Sequence, residues 1–90
     1  MNEKLQAVFH GRVQGVGFRY NTHSIARRFD VQGTVRNCSN GTVELVAEGK
    51  KAVLLEFLAD IQNHFQANIE ETEVTWSAAS GKFTSFQILR

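Results

Sequence analysis

A chain of 90 residues, 42% hydrophobic and 21% charged, has the makeup of a soluble globular unit spanning residues 1–90, with no room for a second lobe. Its net charge of +1 supplies no general field for a polyanion, so nucleic acid is not an expected partner and any anion site must be local. The opening "MNEKLQAVFHG" lacks the long apolar run of a signal peptide or a membrane span, which makes the cytoplasm the expected location, and the single Cys38 excludes an internal disulfide.

In "KLQAVFHGRV", Leu5, Ala7 and Phe9 alternate with Gln6, Val8 and His10, the period-two pattern of a strand with one face in the core. This strand runs into "GRVQGVGFRYN", where Gly11, Gly15 and Gly17 precede Arg19. Beyond the arginine, Asn21 and Thr22 offer capping side chains, Ile25, Ala26 and Phe29 follow at helical spacing, and Gly33 stands past the end as a stop signal. A short amphipathic helix is predicted. "GTVRNCSNGTVELVAEG" reads as two strands around Ser39-Asn40-Gly41, because Asn-Gly is a strong hairpin signal.

Between Lys50 and Phe65, the residues Val53, Leu54, Phe57, Leu58, Ile61 and Phe65 trace one apolar stripe and predict a second helix. "NIEETEVTW" alternates weakly and is acidic, "SAASGK" is a loop, and "FTSFQILR" closes as a strand or edge strand. The order implies an α+β, ferredoxin-like βαββαβ sandwich: two helices packed on one face of a mostly antiparallel sheet, with a short extra C-terminal strand.

Glycines spaced as closely as Gly11, Gly15 and Gly17 point to a backbone that turns where side chains are forbidden, or that comes very near a ligand. Feeding a helix, such a loop gathers N–H groups beside the positive end of the helix dipole, a nest of phosphate size. A Walker loop would need a Gly-Lys-Ser/Thr ending, and Tyr20 stands where G-x-G-x-x-G would place its third glycine, so nucleotide binding is not indicated. Arg19 can hold two phosphate oxygens with its planar fork. The pattern by itself leaves open whether this is an anion site or a tight turn beside a surface arginine.

The other reactive residue types read plainly. His10, His23 and His64 form no i, i+4 pair, so no metal site is expected. Glu70, Glu71 and Glu73 suit a solvated strand edge better than a pair of acid-base carboxylates, and Cys38 reads as a small half-buried thiol without a base beside it.

"GRVQGVGFRY" followed by "GTVRN" resembles the acylphosphatase family, whose signature runs Gly-x-Val-Gln-Gly-Val-x-Phe-Arg and then Gly-x-Val-x-Asn. The first motif matches at Gly11, Val13, Gln14, Gly15, Val16, Phe18 and Arg19, and the second at Gly33, Val35 and Asn37. "NGTVE", Ala67-Asn68-Ile69 and "SGKFTSFQI" extend the likeness over nearly the whole chain. The resemblance implies the same sandwich fold and hydrolysis of the carboxyl–phosphate anhydride of small acyl phosphates, with no cofactor, no metal and no covalent intermediate. It further implies that Arg19 and the backbone N–H groups of Gln14, Gly15, Val16, Gly17, Phe18 and Arg19 bind the phosphoryl group, and that Asn37 orients the attacking water. Inorganic phosphate or sulfate would compete for the same nest, and a monomer is the expected state.

Two departures stand out. "QNHFQAN" carries no proline where the family often turns on one, and Thr34 replaces a frequent tryptophan or tyrosine. Two other readings accompany the enzyme. A non-catalytic or carbamoyl-phosphate-handling module, as found in a hydrogenase-maturation protein, would usually read Phe-Arg-Pro-Phe where this chain reads Phe18-Arg19-Tyr20-Asn21. An RNA-binding module on this fold would need aromatics on its central strands, and "GTVELVAEG" has none.

Overall fold

Leu5, Ala7 and Phe9 turn one face of β1 (Asn2–Gly11) inward and are fully buried, as their spacing predicts. The computed structural model, which describes residues 2–89, continues with α1 (Phe18–Ala26), β2 (Gln32–Asn37), β3 (Val43–Lys50), α2 (Lys51–His64), β4 (Ile69–Ala78) and β5 (Phe86–Ile88). The strands form one sheet in the order β4-β1-β3-β2-β5. Every pairing is antiparallel except that of β2 with β5. Both helices pack on one face, and the core lies between them and the inward residues of the sheet. This is the ferredoxin-like α+β sandwich, with β5 as the added strand.

The stripe predicted on α2 is the buried one: Leu54, Phe57, Leu58 and Ile61 face the sheet, and Phe65 caps the helix from within the core. α1 departs from the sequence reading at both ends. Asn21 and Thr22 are not caps, because the helix begins at Phe18 with Gly17 as its N-cap. The cause is Phe18, which is 2% exposed and packs against Phe9 at 5.0 Å and Phe65 at 4.2 Å between ring centroids. Full burial of such a ring contributes about 1.5–3 kcal/mol, more than the roughly 1 kcal/mol typical of a capping side chain. Thr22 is consequently carried into the helix interior, where its Oγ1 is buried without a partner among the described residues.

At the other end the helix stops at Ala26, and Phe29 lies in the following turn, half-buried with its ring centroid 5.8 Å from that of Phe57. Gly33 does not stop the helix; it sits within β2, where an added Cβ would come within 1.8 Å of the Val46 carbonyl oxygen. The reason for glycine there is close backbone approach between β2 and β3.

The turn from α2 to β4 closes without proline. Asn68 and Ile69 donate their N–H groups to the Phe65 carbonyl at 2.8 and 3.0 Å. The Asn68 carbonyl then accepts from Arg12 N–H at 2.9 Å, which fastens this turn to the start of the glycine loop. β4 is an edge strand, and Glu70, Glu71 and Glu73 are exposed along it, as expected of charges that discourage edge pairing. Glu73 also meets the Nε2 of His10 across the β1–β4 pair. Cys38 is half-buried just after β2.

The face of the sheet away from the helices holds one buried carboxylate that fixes the route to β5. Glu48 on β3 is 3% exposed and accepts hydrogen bonds from Ser80 N–H and Oγ, both at 2.8 Å, and from Gly81 N–H at 3.0 Å. Lys4 Nζ stands 3.8 Å away. Burial pushes the Glu48 pKa up, but these hydrogen bonds and the ammonium outweigh it and hold the carboxyl below its ordinary value.

A carboxyl depressed in the folded state adds stability above its unfolded pKa of about 4.3, and that stability is lost as pH falls through the lower folded value. Glu48→Gln is therefore expected to destabilise the chain by about 1–3 kcal/mol at neutral pH. The difference from wild type should close in strong acid. Urea denaturation at pH 7 and pH 3 checks this, and an equal deficit at both would assign the effect to shape instead of charge.

Candidate functional site

Residues 12–17 carry the chain from β1 into α1. Gly15 and Gly17 both take left-handed backbone, with φ of 76° and 78°, a conformation that glycine adopts without a Cβ penalty. Nothing lies within 4 Å of a Cβ built at Gly15, so the demand there is conformational and not a matter of space. Val13, fully buried, and Val16, partly packed on the core, pin the loop from beneath. The backbone N–H groups of Gly15, Val16 and Gly17 donate to no backbone carbonyl among the described residues. They sit beside the first turn of α1, where helix amides lack intrahelical acceptors and the dipole favours negative charge.

Gln14 does more than its backbone suggests. Its side-chain Nε2 donates to the carbonyls of Cys38 at 2.8 Å and Thr42 at 3.0 Å, across the hairpin that follows Asn37. That hairpin is closed by Cys38 N–H to the Thr42 carbonyl at 2.8 Å and by Asn40 Oδ1, which accepts from Thr42 N–H and Oγ1. The amide of Gln14 thus sets the glycine loop against the end of β2. The motif match marks Gln14 itself, but no spacing in the sequence marks this side-chain brace.

Asn37 is the last residue of β2 and pairs with Val43, whose side chain is buried on the helix-covered face. Register therefore puts Asn37 on the face occupied by α1 and its loop. Arg19, one residue into the helix, donates from Nη1 to the Leu89 carbonyl at 3.2 Å. Leu89 is itself held by its N–H to the Val35 carbonyl at 2.9 Å. Among the described residues this is the one bond of a guanidinium that has five N–H donors, and the rest of its fork can serve a ligand.

These elements enclose an open cleft of about 800 Å³, lined by Val13, Gly15, Gly17, Phe18, Arg19, Tyr20, Asn37 and Ile88. Of the residues singled out in the sequence, Gly15, Gly17, Phe18, Arg19 and Asn37 meet in it. Gln14 and Val16 stand behind the wall, one as a brace and the other as an anchor. Tyr20 and Ile88 also line the cleft, and neither carried a ligand-facing role in the sequence reading.

The acylphosphatase family model matches residues 5–88, from within β1 to the last residue of β5. The chain belongs to the acylphosphatase family. Acylphosphatases of Dehalococcoides mccartyi and Salinibacter ruber are 43% identical over 86 residues and 42% identical over 89. Those alignments cover 93% and 98% of this chain, and 94% of each relative. Among solved structures, the crystal structure of acylphosphatase from Bacillus subtilis matches with a TM-score of 0.88 at 30% identity, covering 98% of this chain and 99% of that one. The chain is accordingly a hydrolase with acylphosphatase activity, acting on small acyl phosphates. No helix among the described residues is long and apolar enough to cross a membrane.

Proposed function

We propose that the cleft between the glycine loop and the end of β2 is where the acyl phosphate is cleaved. The phosphoryl oxygens lie among the N–H groups of Gln14 to Arg19 and the Arg19 guanidinium, and the Asn37 side-chain amide orients a water in line with the scissile bond. The water oxygen attacks phosphorus, the P–O bond to the acyl group breaks, and its electron pair leaves with the carboxylate. One water proton passes to the phosphate product or to solvent.

A carboxylate is a good leaving group, so positioning and charge stabilisation suffice, and the reaction needs neither a strong base nor a metal ion. The observation that carries this reading is that Arg19 and Asn37, from different elements, line one cleft with two left-handed glycines between β1 and the arginine. In this proposal the chain works as a cytoplasmic monomer, and inorganic phosphate and sulfate compete for the nest.

The test is hydrolysis of benzoyl phosphate by the purified chain with a chelator present and inorganic phosphate added in steps. Turnover that survives chelation, with phosphate raising KM and leaving kcat unchanged, is the expected outcome. Loss of activity on chelation, or inhibition confined to kcat, would remove the metal-free reaction or place the anion elsewhere. A folded chain that binds phosphate but turns over no acyl phosphate would favour the binding-module reading.

A further inference from the structure

Two of the five large hydrophobic side chains exposed among the described residues, Tyr20 at 72% and Ile88 at 39%, line the cleft that holds Arg19 and Asn37. A third, Leu89 at 38%, follows directly in sequence, and its carbonyl accepts from Arg19. The aromatic contacts among the described residues do not include Tyr20, although Phe9, Phe18, Phe29, Phe57, Phe65 and Phe86 all pack against another ring. Holding an aromatic ring in water beside a polar cleft forgoes its burial energy, which a ligand can recover. Arg19 is meanwhile the only charged residue lining the cleft among those described, so among these residues a second anionic group on a ligand would meet no further cation.

We propose that Tyr20 and Ile88 form an acyl-binding subsite that selects acyl phosphates whose acyl group is uncharged and apolar or aromatic. This rests on the reading that the phosphoryl group occupies the glycine loop. With the phosphorus there, the acyl carbon skeleton extends toward the mouth of the cleft, where the Tyr20 ring offers a face and Ile88, held by the parallel β2–β5 pairing, offers an aliphatic wall. An acyl group with its own carboxylate or phosphate would lose hydration against these side chains and gain no cationic partner beyond Arg19 among the described residues.

The experiment compares benzoyl, acetyl and succinyl phosphate as substrates of the wild type, Tyr20→Ala and Tyr20→Phe, with the inhibition constant of inorganic phosphate measured for each. Benzoyl and acetyl phosphate differ in intrinsic reactivity, so the quantity read is the ratio of their kcat/KM values, variant against wild type, in which that difference cancels. In Tyr20→Ala the benzoyl-to-acetyl ratio should fall about tenfold, mostly through KM, which is the scale expected of a lost apolar contact in a binding site. Tyr20→Phe should keep the wild-type ratio, and the phosphate inhibition constant should stay within about twofold in both variants.

Equal losses for both substrates, or no change in the ratio, would overturn the subsite, as would a succinyl-to-acetyl ratio that falls in Tyr20→Ala as far as the benzoyl-to-acetyl ratio does. If the wild type hydrolyses none of the three, the proposed reaction at this cleft fails and the subsite falls with it. Hydrolysis of all three with an unaltered ratio leaves the reaction standing and removes the subsite alone.

Discussion

Arg19→Ala is expected to lower kcat/KM for benzoyl phosphate by about 10³-fold, the upper end of what losing one preorganised oxyanion donor costs, or roughly 4 kcal/mol in the barrier. The guanidinium supplies both a full charge and a planar pair of donors, and in the proposed reaction no other side chain lining the cleft among the described residues brings a positive charge. It would touch phosphate in the ground state as well as in the transition state. The inhibition constant of inorganic phosphate should therefore rise along with the loss in kcat. Arg19→Lys should recover little, since an ammonium on a flexible stem cannot reproduce the fork.

The fold should tolerate the change, because among the described residues the side chain's one hydrogen bond is that to the Leu89 carbonyl. Hydrogen bonds to charged groups contribute about 1.5–3 kcal/mol, and this exposed one, from a guanidinium to a backbone carbonyl, belongs at the low end. Kinetics on the two variants, with circular dichroism to show that they are folded, decide the matter. A loss below tenfold in a folded Arg19→Ala would mean that the loop amides hold the phosphoryl group unaided.

Asn37→Ala should lower kcat by about 10²-fold and leave the phosphate inhibition constant within about twofold, since misplacing an attacking group by an ångström costs about that much. The separation of the two effects follows from position. Asn37 closes β2, and its backbone pairing with Val43 does not depend on its side chain. The loop is braced by Gln14 to the Cys38 and Thr42 carbonyls, not through the Asn37 amide. Steady-state kinetics with phosphate as inhibitor separates the two parameters. Matching losses in both would give Asn37 a part in shaping the loop instead of placing water.

Much of this architecture is written locally. The alternation of Leu5, Ala7 and Phe9, the stripe from Leu54 to Phe65 and the turn at Ser39-Asn40-Gly41 each settle an element, because the period of the hydrophobic pattern is that of the structure that buries it. The boundaries of α1 were not legible. Asn21 and Thr22 have capping chemistry, but the competition is decided by Phe18, whose partners Phe9 and Phe65 lie far off in sequence.

Gly33 misled for the same reason, since what demands glycine there is the neighbouring strand's Val46 carbonyl. The last strand could be recognised as a strand, but nothing local says that it runs parallel to β2. At the site, Gly15, Phe18, Arg19 and Asn37 could be named from their motifs and Gly17 from the glycine spacing, and all five do share a cleft. The brace from Gln14 and the wall from Tyr20 and Ile88 depend on which distant segments come alongside, and spacing carries no record of that.

The cleft has walls from three remote stretches of chain: the loop and helix start at Gly15 to Tyr20, the end of β2 at Asn37, and Ile88 on the last strand. The hydrogen bond from Arg19 to Leu89 spans 70 positions. Closing so long a loop costs entropy that nearby contacts do not, and pairings of this range form late and slowly. A chain that has made only its helices and the β2–β3 hairpin therefore has every residue of the cleft and no cleft. In the proposed reaction all three walls are needed at once, so activity would report closure of the whole sheet and not the presence of any one element.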